Sequence, residues 1–292
     1  MIEIERLSDA LGARIHGVDL GGDLSDEVFG EIHQALVDHR VISFPAQSLT
    51  PDQHVAFSKR FGPCDVHSNN QYLLEGHPEI LILSNDLKDG KPIGVVDAGV
   101  EWHSDLSWQL DPPLGSILYN LKNPSEGGHT GFIDMGKVYR ALDADLKVLI
   151  RGLHGLHCVS KLVNPRVTIS ENRLNARDFY AEQLKKHPPV RHPLVYRHPD
   201  TGEDILFASP RFTIGIEELE DAVGQPLLDR LFAYLDDPQF QLTYQWNQHD
   251  VVMWDNRSVL HCALGGYQYP DIRLINRTTV LCDEQSRLQP VH

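Results

Sequence analysis

Residues 240–254 read FQLTYQWNQHDVVMW and give the clearest sign of the fold class. The apolar residues in the first half of this stretch alternate with polar ones, which is the period of a strand with one buried face. They are Phe240, Leu242, Tyr244 and Trp246. The apolar run at 251–254 follows in the same style. Together the two runs predict β-structure.

Similar short apolar runs, typical of strands, occur over most of the chain from residue 80 onward. Further strands are predicted at 80–83, 116–121, 130–133 and 274–281, and one earlier strand at 41–44. Helices are predicted at 26–39, 51–61, 136–150 and 217–235. Short strands with inserted helices predict a mostly β fold with a jelly-roll core.

No Pro- or Ser-rich linker divides the chain, so one domain spanning 1–292 is predicted. The segment 161–189 is polar and poorly periodic, which predicts a long loop that could act as a lid.

Composition excludes several classes of protein. The 292 residues include 41% apolar and 23% charged residues, which is a globular balance. A net charge of −15 argues against a nucleic-acid backbone as partner. No apolar run is long enough to span a membrane, and the acidic start does not resemble a signal peptide. Four dispersed cysteines argue against a zinc ribbon or a disulfide scaffold, and a cytoplasmic location is predicted.

Sixteen histidines raise the question of a metal site. Three His-x-Asp or His-x-Glu triplets occur, at 77–79, 103–105 and 198–200, where chance predicts about two. The first and third contain Pro and predict turns. The middle triplet lies between Trp102 and Trp108. On a strand it would place both ligands on one face, and a third ligand would complete the two-His-one-carboxylate set of non-haem iron oxygenases. The alternative is an ordinary strand end with a surface His and Asp.

The C-terminal segment adds to the case for a site. His261 follows the strand at 251–254, and Arg273 and Arg277 are then four residues apart, on one face of a strand. Two inward arginines are costly unless anions meet them. Such an arginine could hold the distal carboxylate of a keto acid whose other end chelates a metal. A solvated outer face with two ordinary arginines is the alternative.

Several stretches together resemble the Fe(II)/2-oxoglutarate-dependent dioxygenases of the taurine dioxygenase and 2,4-dichlorophenoxyacetate dioxygenase type. The resemblance runs from residue 12 to about residue 279. The matching stretches are GARIHGVDL at 12–20, FSKRFGP at 57–63, WHSD at 102–105, GGHT at 127–130 and MWDNR at 253–257. The resemblance implies a double-stranded β-helix, which agrees with the predicted jelly roll.

The resemblance also implies roles for individual residues. The implied Fe(II) ligands are His103, Asp105 and His261. The implied contacts to the distal carboxylate of 2-oxoglutarate are Thr130 and Arg273. The implied substrate contacts are Arg277, His67 and Trp108. The retained carboxylate at Asp105 favours hydroxylation over halogenation.

The activity implied is hydroxylation of a C–H bond in a small anionic compound, with O2 and 2-oxoglutarate consumed and succinate and CO2 formed. Sulfonates, sulfate esters, aryloxy acids and other carboxylic acids are all candidate substrates. No Asn lies in 96–101, where taurine dioxygenase has a substrate-contacting one, which argues against taurine itself. The same chemistry on a neutral or amino-acid-like metabolite is the alternative. A zinc hydrolase or a metal-free binding protein is more remote, and a homodimer or homotetramer is expected from the family.

Overall fold

A sheet of eight strands forms the larger part of the core. The structure, a computed structural model, describes residues 2–67, 70–96, 99–159 and 185–291. Strands are numbered along the chain. In spatial order this sheet contains β1 (Glu3–Arg6), β2 (Ala13–His16), β3 (Val41–Phe44), β16 (Val251–Asp255), β8 (Gly115–Lys122), β18 (Leu274–Val280), β5 (His77–Ser84) and β4 (Leu73–Leu74). Its pairs are antiparallel except for β2 with β3.

A second sheet completes the core. It contains β15 (Gln241–Tyr244), β9 (Thr130–Asp134) and β17 (Val259–Ala263). One buried apolar cluster joins the two sheets, with Phe132 and Leu242 from the small sheet packed against residues such as Leu118, Trp254 and Ile275 from the large one. Two packed antiparallel sheets with inserted helices form the predicted mostly β, jelly-roll architecture.

Smaller elements flank this core. They are the strands β11 (Val190–Pro193), β10 (His154–His157) and β14 (Thr213–Ile216); β13 (Asp204–Leu206), β12 (Val195–Arg197) and β19 (Gln289–Pro290); and the pair β6 (Leu87–Lys88) and β7 (Lys91–Pro92). The α-helices whose full range lies in the described residues are α1 (Asp26–His39), α2 (Pro51–Lys59), α3 (Met135–Ala141), α4 (Ala144–Ile150) and α5 (Asp221–Phe232). No helix of the described residues is long and apolar enough to cross a bilayer.

Local sequence explains where the first two helices begin. Ser25 caps α1 by accepting a hydrogen bond from the Val28 amide, and Thr50 and Gln53 form a reciprocal capping box at the start of α2. The bounds of α1 and of β3 are those predicted.

The predicted helix at 136–150 is two helices, because the backbone at Leu142 is extended and ends α3. The predicted helix at 217–235 begins only at Asp221, after an extended Glu220, and continues beyond Phe232 as a 3-10 turn to Asp236. In both cases the helix is interrupted at a single residue with extended backbone. The spacing of apolar residues does not reveal such an interruption.

One turn prediction is wrong and one is confirmed. The triplet 77–79 begins β5 instead of forming a turn. Its Pro78 is tolerated because β18 pairs with β5 only from Leu81 to Ser84, so no ladder bond to β18 needs the missing N–H. The triplet 198–200 enters a turn as predicted. The predicted lid at 161–189 lies outside the described residues except for 185–189, and the single-domain organisation stays a prediction.

Candidate metal centre

The backbone brings His103 and His261 together from distant parts of the chain. His261 lies on β17, and His103 forms an isolated antiparallel bridge with it. Each amide donates to the other residue's carbonyl, at 3.1 and 2.8 Å, and the ring centroids are 4.1 Å apart. This backbone pairing holds the two imidazoles close together. The sequence around His103 or around His261 does not by itself predict that proximity.

Asp105 completes a cluster of three buried side chains. Its Oδ1 lies 3.7 Å from His103 Nε2, and its Oδ2 lies 3.7 Å from His261 Nε2. One ligand atom from each residue lies within 4.8 Å of the other two, so a single metal ion could contact all three. The structure therefore groups the three residues predicted to bind iron.

The expectation that the triplet 103–105 lies on a strand is wrong. Only His103 is bridged, and the chain turns from Asp105 onward, with Leu106 at a φ of +51°. The amide of Asp105 donates to Asn256 Oδ1 at 2.6 Å instead of to a neighbouring strand. Asp105 reaches the cluster through this turn and not through strand alternation.

The three side chains have the protonation that metal ligands need. Burial lowers the pKa of His261 to about 4, and it lowers the pKa of His103 well below its usual value, with the nearby His261 adding to the shift. Burial raises the pKa of Asp105, but the Arg277 guanidinium and the two imidazoles outweigh it and hold that pKa well below its usual range. The cluster is two neutral imidazoles and one carboxylate at neutral pH.

Hydrogen bonds orient two of these ligands. His103 Nδ1 lies 2.7 Å from the Glu101 carbonyl, so it carries the proton and leaves Nε2 with a lone pair facing Asp105. Arg277 Nη1 donates to Asp105 Oδ1 at 3.1 Å, and Ser116 Oγ donates to Oδ2 at 2.8 Å. Each carboxylate oxygen thus has one partner and a remaining lone pair.

Both predicted arginines line the same cavity as the histidines. Its lining includes His103, His261, Thr130, Trp254, Arg273 and Arg277. Arg273 lies just before β18 and Arg277 within it, and both are 8% exposed. The prediction that the two arginines face inward together is confirmed by this geometry.

Arg273 is a buried cation, and none of the ion pairs between described residues includes it. Its Nε has no hydrogen-bond partner in the part of the chain that the structure describes, and burial lowers its pKa, offset only by the Tyr267 side chain. Trp246 Nε1 donates to Thr130 Oγ1 at 2.9 Å, which leaves the Thr130 hydroxyl hydrogen free to donate elsewhere. A guanidinium and a hydroxyl donor at one end of a cavity form a receptor for a carboxylate.

The structure does not bring the other two predicted residues into this cavity. His67 is half-buried and is not among the cavity residues. Trp108 is also half-buried and makes an edge contact with His187, at 4.8 Å between ring centroids. The neighbouring Trp102 packs closely against Gly131, where a Cβ would lie 2.5 Å from its ring.

Two residues that sequence reasoning missed lie beside the cluster. Arg211 is half-buried, and besides burial its charge lowers the pKa of both His103 and His261. Its guanidinium lies 5.3 Å from the Phe212 ring centre, and none of the ion pairs among the described residues includes it. Asn256 contacts the backbone of Asp105. The matching stretch at 253–257 contains Asn256 but does not reveal its partner, and no local pattern marks Arg211, because both residues meet the cluster through contacts between distant segments.

Two other groups of potential ligands are explained by protein partners. Asp255 binds His198 at 2.9 Å and is also held by Arg257, which reaches Asp200 as well. A guanidinium already occupies this cluster, so it is an ion-pair network. The group of His154, Glu217 and Glu218 is partly exposed, and Arg191 pairs with Glu217.

Comparison with known proteins identifies the family. Residues 3–279 match the model of the family described as "Taurine catabolism dioxygenase TauD, TfdA family". The chain belongs to this family. The resemblance inferred from sequence is confirmed, and with it the mostly β fold and the enzyme class: the chain is an alpha-ketoglutarate (2-oxoglutarate)-dependent dioxygenase.

Individual members of the TauD/TfdA family match over nearly the whole chain. The alpha-ketoglutarate-dependent 2,4-dichlorophenoxyacetate dioxygenase of Cupriavidus pinatubonensis is 31% identical over 288 residues, covering 95% of this chain and 96% of that protein. Pentalenolactone F synthase of Streptomyces avermitilis is 28% identical, covering 100% and 97%. The crystal structure of a taurine dioxygenase from Burkholderia xenovorans superimposes with a TM-score of 0.79 at 30% identity, covering 98% and 93%.

Proposed function

We propose that His103, Asp105 and His261 bind Fe(II), and that Thr130 and Arg273 hold the distal carboxylate of 2-oxoglutarate. The observation that carries this proposal is the cavity itself. Two imidazoles line it and, with the adjacent Asp105 carboxylate, offer ligand atoms within 4.8 Å of one another; it is also lined by the buried guanidinium of Arg273, whose Nε has no partner among the described residues. The donor set suits Fe(II), and the Arg273 guanidinium, which no ion pair among the described residues includes, suits a dicarboxylate.

The chain's own residues then have defined tasks. Bound Fe(II) supplies the redox chemistry that couples O2 and the decarboxylation of 2-oxoglutarate to hydroxylation of a C–H bond. The Glu101 carbonyl keeps the His103 proton on Nδ1, and Arg277 and Ser116 orient the Asp105 carboxylate. Apolar walls, including Leu118 and Trp254, exclude water from the reacting groups.

For the organic substrate we propose a small anionic compound held by Arg211. Arg277 is already paired with Asp105, so it helps to hold a ligand, and its charge is not free for a second anion. Arg211 has no such partner in the described residues, lies within electrostatic reach of both histidines, and adjoins Phe212, whose ring contacts His103 edge-on at 5.7 Å. One relative is named for an aryloxy acid, which fits this chemistry.

A neutral biosynthetic metabolite is the second candidate, since another relative is named as pentalenolactone F synthase. A panel of aryloxyacetates, alkyl sulfonates and sulfate esters, matched with neutral analogues, distinguishes the two. Substrate-dependent succinate formation with the acids supports the first proposal. Turnover confined to the neutral compounds contradicts it.

The experiment that tests the cofactor proposal uses protein stripped of metal by dialysis. Fe(II) and Zn(II) are added separately, each with and without 2-oxoglutarate, and succinate is measured with and without O2. Succinate that requires Fe(II), 2-oxoglutarate and O2 together is the expected result. Any turnover supported by Zn(II) contradicts the proposal. Cytoplasmic location and a homo-oligomeric state stay predictions.

A further inference from the structure

Asn256 holds the turn that carries Asp105 through both ends of its side-chain amide. Its Oδ1 accepts from the Asp105 amide at 2.6 Å, and its Nδ2 donates to the Asp105 carbonyl at 2.9 Å. The same Nδ2 lies 3.2 Å from the Pro113 carbonyl, and Ser104 Oγ donates to the backbone carbonyl of Asn256 at 2.8 Å. Asn256 is 1% exposed, so water does not replace these bonds.

This arrangement matters because Asp105 is not paired in a strand. A side chain on a sheet is positioned by its ladder, whereas one on a turn depends on whatever fixes the turn. Here Leu106, the residue after Asp105, has a left-handed φ of +51°, which a leucine adopts only when its surroundings impose it. The Asn256 side chain is a buried contact on both peptide groups of Asp105, directly before this left-handed residue.

Asn85 makes the equivalent contact to Arg273. Its Oδ1 accepts from the Arg273 amide at 2.9 Å, and its Nδ2 donates to the Asp271 carbonyl at 2.8 Å. Ser84 Oγ donates to the Arg273 carbonyl at 2.9 Å. Arg273 also lies outside a regular ladder, since it precedes β18 and the register shifts between Leu274 and Ile275.

We propose that Asn256 and Asn85 are positioning residues with separate targets: Asn256 sets the carboxylate ligand of the metal, and Asn85 sets the arginine that binds the cosubstrate. This inference rests on the proposed function of Asp105 and Arg273. Neither asparagine is among the residues that line the cavity of His103, His261 and Arg273, although Asn85 lines a neighbouring pocket together with Arg273. Each asparagine bonds to the backbone of its target residue, so each should affect one binding step and leave the other unchanged.

Asn120 provides a matched control. It is fully buried, and its Nδ2 donates to Asn123 Oδ1 at 2.6 Å and to the Asn247 carbonyl at 2.7 Å. It therefore holds irregular backbone through its Nδ2, although its Oδ1 has no hydrogen-bond partner among the described residues, and these hydrogen bonds reach neither Asp105 nor Arg273. Its replacement should destabilise the fold without a specific effect on binding.

The test compares Asn256→Asp, Asn85→Asp and Asn120→Asp with the wild type. In each variant one amide donor becomes an acceptor that faces a carbonyl oxygen. Mn(II) affinity is measured by paramagnetic resonance, 2-oxoglutarate affinity of the Mn(II)-loaded protein by calorimetry, and folding by thermal denaturation. We expect Asn256→Asp to weaken Mn(II) binding about 10- to 100-fold, the usual effect of losing a partner that orients a ligand. Asn85→Asp should leave Mn(II) binding unchanged and weaken 2-oxoglutarate at least about tenfold.

The outcomes separate this inference from the proposed function. A wild type that binds no Mn(II) contradicts the proposed metal site. A wild type that binds Mn(II), with Asn256→Asp within twofold of it or Asn120→Asp equally weakened, overturns the positioning role. If Asn256→Asp does not fold, Asn256→Ser carries the same prediction, since one hydroxyl cannot make both bonds. The visible spectrum of Co(II)-loaded protein should change in the Asn256 variant and not in the Asn120 variant, which a loss of stability alone would not produce.

Discussion

Replacing Arg273 with methionine should strongly weaken cosubstrate binding without weakening the fold. Arg273 is 8% exposed, its Nε has no partner in the described residues, and burial lowers its pKa. It is a buried charge with no counter-ion among the residues that the structure describes, which opposes folding. Methionine fills a similar volume and needs no counter-ion.

The expected loss of affinity follows from the pair that the ligand would form. Breaking a buried, hydrogen-bonded charge pair costs roughly 2–5 kcal/mol. A loss of that size raises the dissociation constant for 2-oxoglutarate roughly 30- to 4,000-fold. The free energy of unfolding of the metal-free protein should stay the same or rise, because the apolar side chain removes a desolvated cation.

Calorimetry on Mn(II)-loaded protein measures the first quantity, and denaturant titration of the metal-free protein measures the second. A change of twofold or less in 2-oxoglutarate affinity would refute the assignment of Arg273. A large loss of stability in the variant would refute the view that its charge is uncompensated. Mn(II) affinity serves as the control and should not change.

Three further predictions concern other residues. Burial lowers the pKa of His54 to about 4, so the unfolded chain binds the proton more strongly than the folded protein between pH 4 and 6.5. The free energy of unfolding should therefore fall by up to about 3 kcal/mol as the pH drops through that window. Denaturant titrations of His54→Gln should show a shallower fall. A Cβ at Gly99 would lie 2.7 Å from His103 Cε1, so Gly99→Ala should displace the imidazole ring. Mn(II) affinity, measured by paramagnetic resonance, should then fall on the order of tenfold. An unchanged Mn(II) affinity would contradict this prediction and show that the ring can shift freely. Arg211→Gln should raise the KM for an anionic substrate roughly 10- to 100-fold, which corresponds to the loss of a charge-assisted hydrogen bond. The KM for 2-oxoglutarate should stay unchanged. Equal changes in both KM values would place Arg211 at the cosubstrate instead.

The sequence predicted those parts of the fold that are decided locally. The strand β16 and the helix α1 were predicted from apolar spacing, and the residues that bear on the metal were predicted from the triplet 103–105 together with His261. The spacing of apolar residues shows which side chains face the core. In β16 and α1, burial of those side chains determines the secondary structure, so the sequence predicts it.

Contacts between distant segments decide the rest. Asp105 was expected on a strand, but its backbone bonds to Asn256, 151 residues away, and forms a turn. Arg277 was expected to contact an anionic substrate, which stays a prediction, and its Nη1 also donates to Asp105 Oδ1 at 3.1 Å, a contact that the sequence did not reveal. Arg211 is brought near the cluster by the fold and has no local signature. In each case the missing information is the identity of a partner far along the chain, which one sequence does not contain.

The most direct test of the proposed site is an anaerobic crystal structure with Mn(II) and 2-oxoglutarate. We expect one metal ion per chain, bound to Nε2 of both His103 and His261 and to the Asp105 carboxylate, with the distal carboxylate of the cosubstrate against Arg273 and Thr130. A metal ion held by any other set of side chains, or a cosubstrate whose distal carboxylate lies at Arg211 or Arg277, would contradict the assignment.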